Sequence, residues 1–365
     1  MRILQISSAR NFGGGEKHLV DLCRGLTARG HEVFVALRPT NKWQEKLDFI
    51  APENFLHVSI RNSFGIFSAQ RIAEFAREKN IEIIHAHVAR DYIPASLACR
   101  VAGAPKLVLT RHVLFPMKPF HKFALKNVSK AIAVSGAVAG QLEQIFPKEK
   151  IAVVPNGIET EKWSKSDAEK LRREFRSGHD ISLDTLLIGT VGELKLLKGQ
   201  RDFVLAAKIV AEKFAGAHFV IVGEDNAANQ AFRNELKRLV RIFNLENRFL
   251  WLNWVEETAP LLSALDVFVS ASHSESFGLA ILEAMASGTA IAATETEGAK
   301  EMLRDGETGL LVPIQEPVAL AEAIGRLLSD EDLRSKLGKQ AQQFAGKNFS
   351  LERMIAETEK IYKQV

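Results

Sequence analysis

The chain predicts an α/β protein of two units, each a parallel sheet covered by helices. Three observations carry this. Short apolar, β-branched runs alternate with amphipathic helical stretches from end to end, the pattern of parallel strands joined by helical crossovers. The series occurs twice, broken by the turn signal Pro155-Asn156-Gly157 and a polar stretch over 159–180. With 365 residues, 46% of them hydrophobic, the chain is long enough for two cores rather than one.

In the first series strands are expected at 3–6, 33–37, 83–85, 107–110, 131–134 and 151–154. In the second they fall at 186–191, 218–222, 249–252, 267–270, 290–293 and 309–312. A helix over 16–29 places Leu19, Leu22, Cys23 and Leu26 on one face. A charged helix is expected over 167–175, after a domain boundary near 160, so that the domains are 1–160 and 161–349. The tail, about 350–365, reads as a last helix.

Composition narrows the class. No apolar run reaches the ~18 residues of a membrane span, and the N-terminus reads as a first strand rather than a signal peptide. Only Cys23 and Cys99 occur, without metal or disulfide spacing, so a reducing, cytoplasmic setting is expected. Charge is uneven: residues 1–150 carry 22 Lys and Arg against 12 Asp and Glu, the remainder 26 against 32. No acid occurs from Tyr92 through Leu142, a span holding Arg111, Lys118, Lys122, Lys126 and Lys130. The four lysines recur every fourth residue, a spacing that lines one helix face, with Phe115, Phe120 and Phe123 interleaved. A solvated helix with inward aromatics explains a short stretch of this kind. An acid-free span this long favours an anionic partner, either a membrane surface or a phosphorylated acceptor. No nucleic-acid module accompanies it.

Several motifs stand at strand ends. Gly13, Gly14 and Gly15 follow the first strand and open a helix, where backbone amides can meet a phosphate. This is not the dinucleotide fingerprint GxGxxG. Gly192-Glu193-Leu194-Lys195-Leu196-Leu197-Lys198-Gly199 holds the same place in the second series, and Lys198 there can pair with a diphosphate. Glu275 lies in the turn after the run 265–270, and Glu283 about two turns into the following helix. In an open α/β sheet such turns border the ligand crevice. His112 emerges after one strand, and His85 and His87 end another. Neither set has the carboxylate spacing of a metal site, and Asp330-Glu331-Asp332 reads as a helix cap. No metal and no cofactor are expected.

Together these residues resemble the GT-B glycosyltransferases, specifically the retaining, nucleotide-sugar-dependent group called family GT4. The likeness runs over essentially the whole chain: Glu275 and Glu283 with the Phe277-Gly278 step between them, the glycine loop, 154–158, Lys198-Gly199, and 298–312. The resemblance implies two Rossmann-like domains whose parallel sheets face each other across a cleft, the last helix returning to the N-terminal domain. It assigns Glu283 to the ribose hydroxyls and Glu275 to those of the donor sugar. Phosphate or sugar contacts would come from Ser276, Phe277, Gly278 and Leu279 and from the glycine loop, and His112 would lie near the reacting sugar. Acceptor binding would belong to the N-terminal domain, which carries the basic patch. Two positions depart from the family pattern. Glu193 stands where relatives usually place Arg, so that either Lys195 substitutes or the phosphates are held less strongly. Asn253 stands where Gly is common.

The implied activity is transfer of a sugar from a nucleoside diphosphate sugar, with retention, to a glycan or glycolipid acceptor of the cell-envelope type. No nucleophile stands out, which favours a same-face substitution assisted by Lys198 and helix N-termini. The protein would be cytoplasmic, either free or peripheral on the membrane's inner face, and would bind no nucleic acid. The alternatives are a nucleotide-sugar epimerase of the same fold and a non-catalytic binder of nucleotide sugars or anionic glycans.

Overall fold

The computed structural model describes residues 1–60, 65–159, 163 and 165–365. It divides into two compact units, Met1–Gly157 with Leu351–Val365, and Ile158–Ser350. The first therefore ends at the predicted Pro-Asn-Gly turn, while position 160 lies outside the described residues.

The first unit is a seven-stranded parallel sheet of β1 (Arg2–Ser7), β2 (Glu32–Leu37), β3 (Phe55–His57), β4 (Ile83–Ala86), β5 (Lys106–Arg111), β6 (Val128–Ala133) and β7 (Ile151–Val153). Their spatial order is β3-β2-β1-β4-β5-β6-β7. Strand β3 escaped the sequence reading because three residues carry no legible alternation. The helices are α1 (Gly14–Ala28), α2 (Ile66–Glu78), α3 (Tyr92–Ala102), α4 (His121–Ala124) and α5 (Gly136–Leu142).

The side chains on one face of the central strands change character along their length. Ile3, Ile83 and Val108 lie in the apolar core with Leu19, Leu22 and Leu26 of α1. Two residues further on, at the period of a strand, stand Gln5, His85 and Thr110, all buried. Two further still come His87 and His112. The sheet thus grows polar toward its C-terminal edge.

The four patch lysines do not share a helix face. Pro116 and Pro119 confine α4 to four residues, leaving Lys118 in the preceding loop, Lys122 in α4, Lys126 in the following turn and Lys130 on β6. The aromatics do not pack inward either: Phe115 is 66% and Phe123 81% exposed.

In the second unit α6 (Lys165–Gly178) precedes the sheet, longer than the expected helix at both ends. The six parallel strands are β8 (Leu187–Val191), β9 (His218–Val222), β10 (Phe249–Leu252), β11 (Val267–Ser270), β12 (Ala290–Thr294) and β13 (Leu310–Val312), in the order β10-β9-β8-β11-β12-β13. Helices α7 (Gln200–Lys213), α8 (Ala231–Ile242), α9 (Ala259–Ala264), α10 (Leu279–Ser287), α11 (Glu297–Met302), α12 (Pro317–Ser329) and α13 (Glu331–Asn348) complete it. Asp330 caps α13, accepting from the Leu333 amide at 2.8 Å, as its sequence position predicts.

A buried clamp fastens α6 to this sheet. Arg176, with no exposed side-chain surface, donates to the carbonyls of Ala264, Ser182 and Thr185 at 2.7–3.0 Å and to Asp266 Oδ2 at 2.9 Å. Arg172 takes the other carboxylate oxygen at 2.8 Å, and the Leu187 amide donates to Oδ2 at 2.7 Å. The clamp satisfies carbonyls that would otherwise be buried without partners.

The final helix, α14 (Leu351–Lys363), belongs to the first unit. It packs on α1 where Gly25 has no side chain; a Cβ there would meet Ile355 Cδ1 at 2.1 Å. Glu359 anchors it, accepting from Arg29 Nη1 at 2.6 Å and Lys363 Nζ at 2.5 Å, with His31 Nε2 at 3.2 Å. Among the described residues no helix is long and apolar enough to cross a membrane.

Candidate functional site

In the second unit the strand order reverses between β8 and β11, which opens a crevice beyond their C-terminal ends. The loops leaving these two strands carry Lys198 and Glu275. Lys198 Nζ donates to Glu275 Oε2 at 2.5 Å, and Ser272 Oγ reaches the same oxygen at 3.4 Å. Backbone contacts position both. The His273 amide donates to the Leu197 carbonyl at 2.9 Å, and His273 Nε2 meets Asp202 Oδ2 at 2.7 Å. Gly199, at φ 64°, passes so close to β11 that a Cβ would sit 1.8 Å from the Ala271 carbonyl oxygen. The pair is therefore held in register by the two loops rather than meeting by side-chain reach alone.

Helix α10 begins beside Glu275. Gly278 is its N-cap and supplies no side-chain acceptor, and the Leu282 amide makes the return bond to the Gly278 carbonyl at 3.0 Å. The amides of Leu279, Ala280 and Ile281 thus have no intrahelical acceptor and form the positive end of the helix. Phe277, buried against Phe349, pins the loop, with Ser276 half-buried beside it. The Gly298 amide donates to the Glu275 carbonyl at 3.0 Å. Since α10 starts at Leu279, Glu283 lies one turn into it, not two; Thr258 Oγ1 donates to its carboxylate at 3.1 Å.

Lys195 is paired with the residue that departs from the family pattern: its Nζ lies 2.5 Å from Glu193 Oε2. Partial burial raises the Glu193 carboxyl, but the Lys195 and Asn226 hydrogen bonds outweigh this and hold it below the usual carboxylate range. Asn253 Oδ1 accepts from the buried Arg233 Nη1 at 2.9 Å, so it too has a structural partner.

In the first unit the strand order reverses between β1 and β4. Gly13, Gly14 and Gly15 lie at this switch point, and Gly15 packs near the His112 ring. Sequence reading missed two carboxyls here. Glu16, in the first turn of α1, is raised to about 7 by burial, against opposing hydrogen bonds from its own amide and that of Gly13. Its carboxylate therefore already engages the loop offered to a phosphate. Asp91, fully buried, is raised to about 6 by desolvation, opposed mainly by hydrogen bonds from Ser8; its Oδ2 accepts from the Ser8 amide at 2.8 Å.

Behind this loop runs a directed chain of hydrogen bonds. Gln5 Oε1 can only accept, so His87 Nε2 carries the proton it donates at 2.7 Å. Gln5 Nε2 donates to the Tyr362 hydroxyl at 3.1 Å. That hydroxyl turns its proton to His85 Nδ1 at 2.5 Å, and His85 Nε2 donates to Thr110 Oγ1 at 2.7 Å. Burial holds His85, His87 and His112 well below the ordinary imidazole range. It brings His18 down to about 4. All four are neutral near pH 7. The alternation of strand residues signalled that His85 and His87 share a face; Tyr362, from the far end of the chain, left no local trace.

Arg111 leaves the predicted surface patch. It is 4% exposed and turns back to donate to the Phe115 carbonyl, bracing the loop after β5. Lys118, Lys122 and Lys126 are exposed, while Lys130 is half-buried and donates to the Glu149 carbonyl at 2.6 Å.

Comparison with known proteins places this arrangement. Residues 172–344 match the family model described as glycosyl transferases group 1, and residues 12–162 match that of glycosyltransferase family 4. The chain is 28% identical over 375 residues to N-acetyl-α-D-glucosaminyl L-malate synthase of Bacillus anthracis, covering 97% of this chain and 95% of that one. It is 25% identical to the lipopolysaccharide core biosynthesis glycosyltransferase LpsE of Rhizobium meliloti, covering 93% of each. The crystal structure of Anabaena HepE in complex with UDP superposes with a TM-score of 0.86 at 22% identity, covering 100% of both chains. Two family models spanning both units, with relatives alike over nearly their whole length, establish that the chain is a group 1 (family GT4) glycosyltransferase of the GT-B fold.

Proposed function

We propose that the enzyme transfers a sugar from a nucleoside diphosphate sugar to a glycan or glycolipid acceptor, with retention of anomeric configuration. The observation that carries this is the Lys198–Glu275 pair, 2.5 Å apart at the switch point and beside the N-terminus of α10. An arriving donor divides the pair. Lys198 turns to the diphosphate and Glu275 to the hydroxyls of the donor sugar, while the first amides of α10 and Ser276, Phe277, Gly278 and Leu279 line phosphate and sugar. Glu283 takes the ribose hydroxyls. Lys195, neutralised by Glu193, adds little charge at the phosphates, so the donor is held less strongly than in relatives that carry Arg.

As the glycosidic bond breaks, negative charge grows on the departing diphosphate. Lys198 and the helix end stabilise it without reorganising, and its oxygen takes the acceptor's proton on the same face. Glu275 positions the sugar and does not attack it. The neutral His112 serves as a hydrogen-bonding group near the reacting sugar. This charge supply makes a metal unnecessary for transfer. The first unit, with the glycine loop and the basic, aromatic surface, receives the acceptor.

The lipopolysaccharide assignment of LpsE and the exposed Phe115, Phe123, Lys118, Lys122 and Lys126 support cell-envelope glycan synthesis. They also support a cytoplasmic protein held at the inner face of the membrane. The test is product formation across nucleotide sugars, beginning with UDP-glucose, with anomeric configuration read by proton NMR. Release of free nucleotide that no acceptor accelerates, or an inverted product, overturns the proposal.

A further inference from the structure

We propose that Tyr362 is a positioning residue for sugar transfer: through Gln5 and His87 it decides which ring nitrogen of His112 carries the proton. This role rests on the reading that His112 meets the reacting sugar. The tyrosine stands on α14, near the far end of the chain, yet its hydroxyl bridges side chains of two strands of the first sheet. It accepts from Gln5 Nε2 of β1 at 3.1 Å and meets His85 Nδ1 of β4 at 2.5 Å. Gln5 Oε1 faces His87 Nε2 at 2.7 Å, and His87 Nδ1 faces His112 Nε2 at 3.5 Å. Gln5, His85, His87 and Tyr362 are all buried, so each polar atom of the relay depends on its protein partner.

The direction of the relay follows from the protons available. Burial holds His87 and His112 well below the ordinary imidazole range, so both are neutral near pH 7. A neutral imidazole has one donor and one acceptor nitrogen, and an amide side chain one acceptor oxygen and one donor nitrogen. With the tyrosine proton turned to His85, the hydroxyl oxygen accepts from Gln5 Nε2, and Gln5 Oε1 takes the His87 Nε2 proton. His87 Nδ1 is then an acceptor. His112 must donate to it from Nε2, which makes His112 Nδ1 the acceptor nitrogen, suited to a sugar hydroxyl that donates. Turning the tyrosine proton to Gln5 instead flips the amide and reverses every later link. His87 Nε2 then accepts, His87 Nδ1 donates, and His112 carries its proton on Nδ1. His85 selects the first direction: its Nε2 donates to Thr110 Oγ1 at 2.7 Å, which keeps its Nδ1 an acceptor for the tyrosine. Tyr362 is the branch point at which His85 and Gln5 compete for one proton, and removing its hydroxyl leaves both directions open.

The test is the ring nitrogen NMR spectrum of the histidine-labelled, full-length chain near pH 7 without substrates, with His112 assigned by the signals lost in His112→Ala. The wild type should show one His112 tautomer, protonated at Nε2. Folded Tyr362→Phe, checked by its melting curve, should show both tautomers, with kcat down about tenfold and KM for the donor unchanged. Glu359→Gln loosens α14 without touching the relay, and should keep the wild-type tautomer and kcat. A wild-type His112 protonated at Nδ1 overturns the proposal, even if no tyrosine variant folds. A single Nε2 tautomer, or an undiminished kcat, in folded Tyr362→Phe overturns it as well. Equal changes in Glu359→Gln would reduce Tyr362 to an anchor of α14 and overturn its positioning role. An undiminished kcat in His112→Ala is a different failure: it removes His112 from the reaction, and the positioning role falls with it whatever the spectra show.

Discussion

Replacing Lys198 by Met and Glu275 by Gln, singly and together, separates a donor site from a structural ion pair. The two side chains meet at 2.5 Å with 27% and 15% of their surface exposed. Exposed pairs contribute about 0.2–1 kcal/mol, whereas removing one partner of a fully buried pair costs about 3–5 kcal/mol. This pair lies between, so each single variant should lose about 1–3 kcal/mol of stability. The double variant leaves no unpaired charge and should recover most of that loss. Turnover should behave oppositely. Loss of Lys198, the preorganised cation facing the developing negative charge, costs about 2.7–4 kcal/mol of transition-state stabilisation, roughly 10²–10³ in kcat; Glu275→Gln loses the positioning of the sugar, and nothing in the double variant restores either. The assays are melting curves and initial rates of nucleotide release at saturating donor and acceptor. If the double variant regains turnover along with stability, the pair is a structural bridge and the assignment of Lys198 and Glu275 to the donor is wrong.

Asp266→Asn should destabilise the second unit by about 3–5 kcal/mol, because it removes the charge that compensates buried Arg176; a melting transition for that unit unchanged within error would refute the clamp. Glu359 is held at about 2 in the folded protein, chiefly by Lys363 and then Arg29. Its stabilisation of α14 is therefore complete above the unfolded value of 4.5 and is lost as pH falls toward 2. Hydrogen exchange on α14 should rise across that window in the wild type and show no such step in Glu359→Gln. For the exposed patch, sedimentation with anionic vesicles should weaken with salt. It should drop roughly 10²-fold when Lys118, Lys122 and Lys126 are replaced together, at about 1 kcal/mol per lysine; equal binding to neutral vesicles would count against an electrostatic surface.

Much of this was legible in order along the chain. Twelve of the strands were readable from β-branched runs, because a buried parallel strand must be apolar over its own few residues. The Glu275–Glu283 segment and Lys198-Gly199 were readable for a related reason: strand, turn and helix follow one another locally, so their residues land at the crevice wherever the sheet forms. The lysine period misled because spacing alone cannot tell a helix from a proline-bounded loop running into a strand. Arg111 misled because charge suggested surface, while the loop after β5 needed an internal donor.

The sequence by itself determined the fold class, the strand-end loops and the family, all of them consequences of short-range pattern. Only the tertiary structure decided that Lys198 pairs with Glu275, that Arg176 and Asp266 lock α6 to the sheet, and that Tyr362 orients Gln5. It alone brought His18, His87 and His112 together. Those contacts join residues far apart in the chain, and their energies depend on burial and on which lone pair faces which proton, quantities that exist only once the chain has closed on itself.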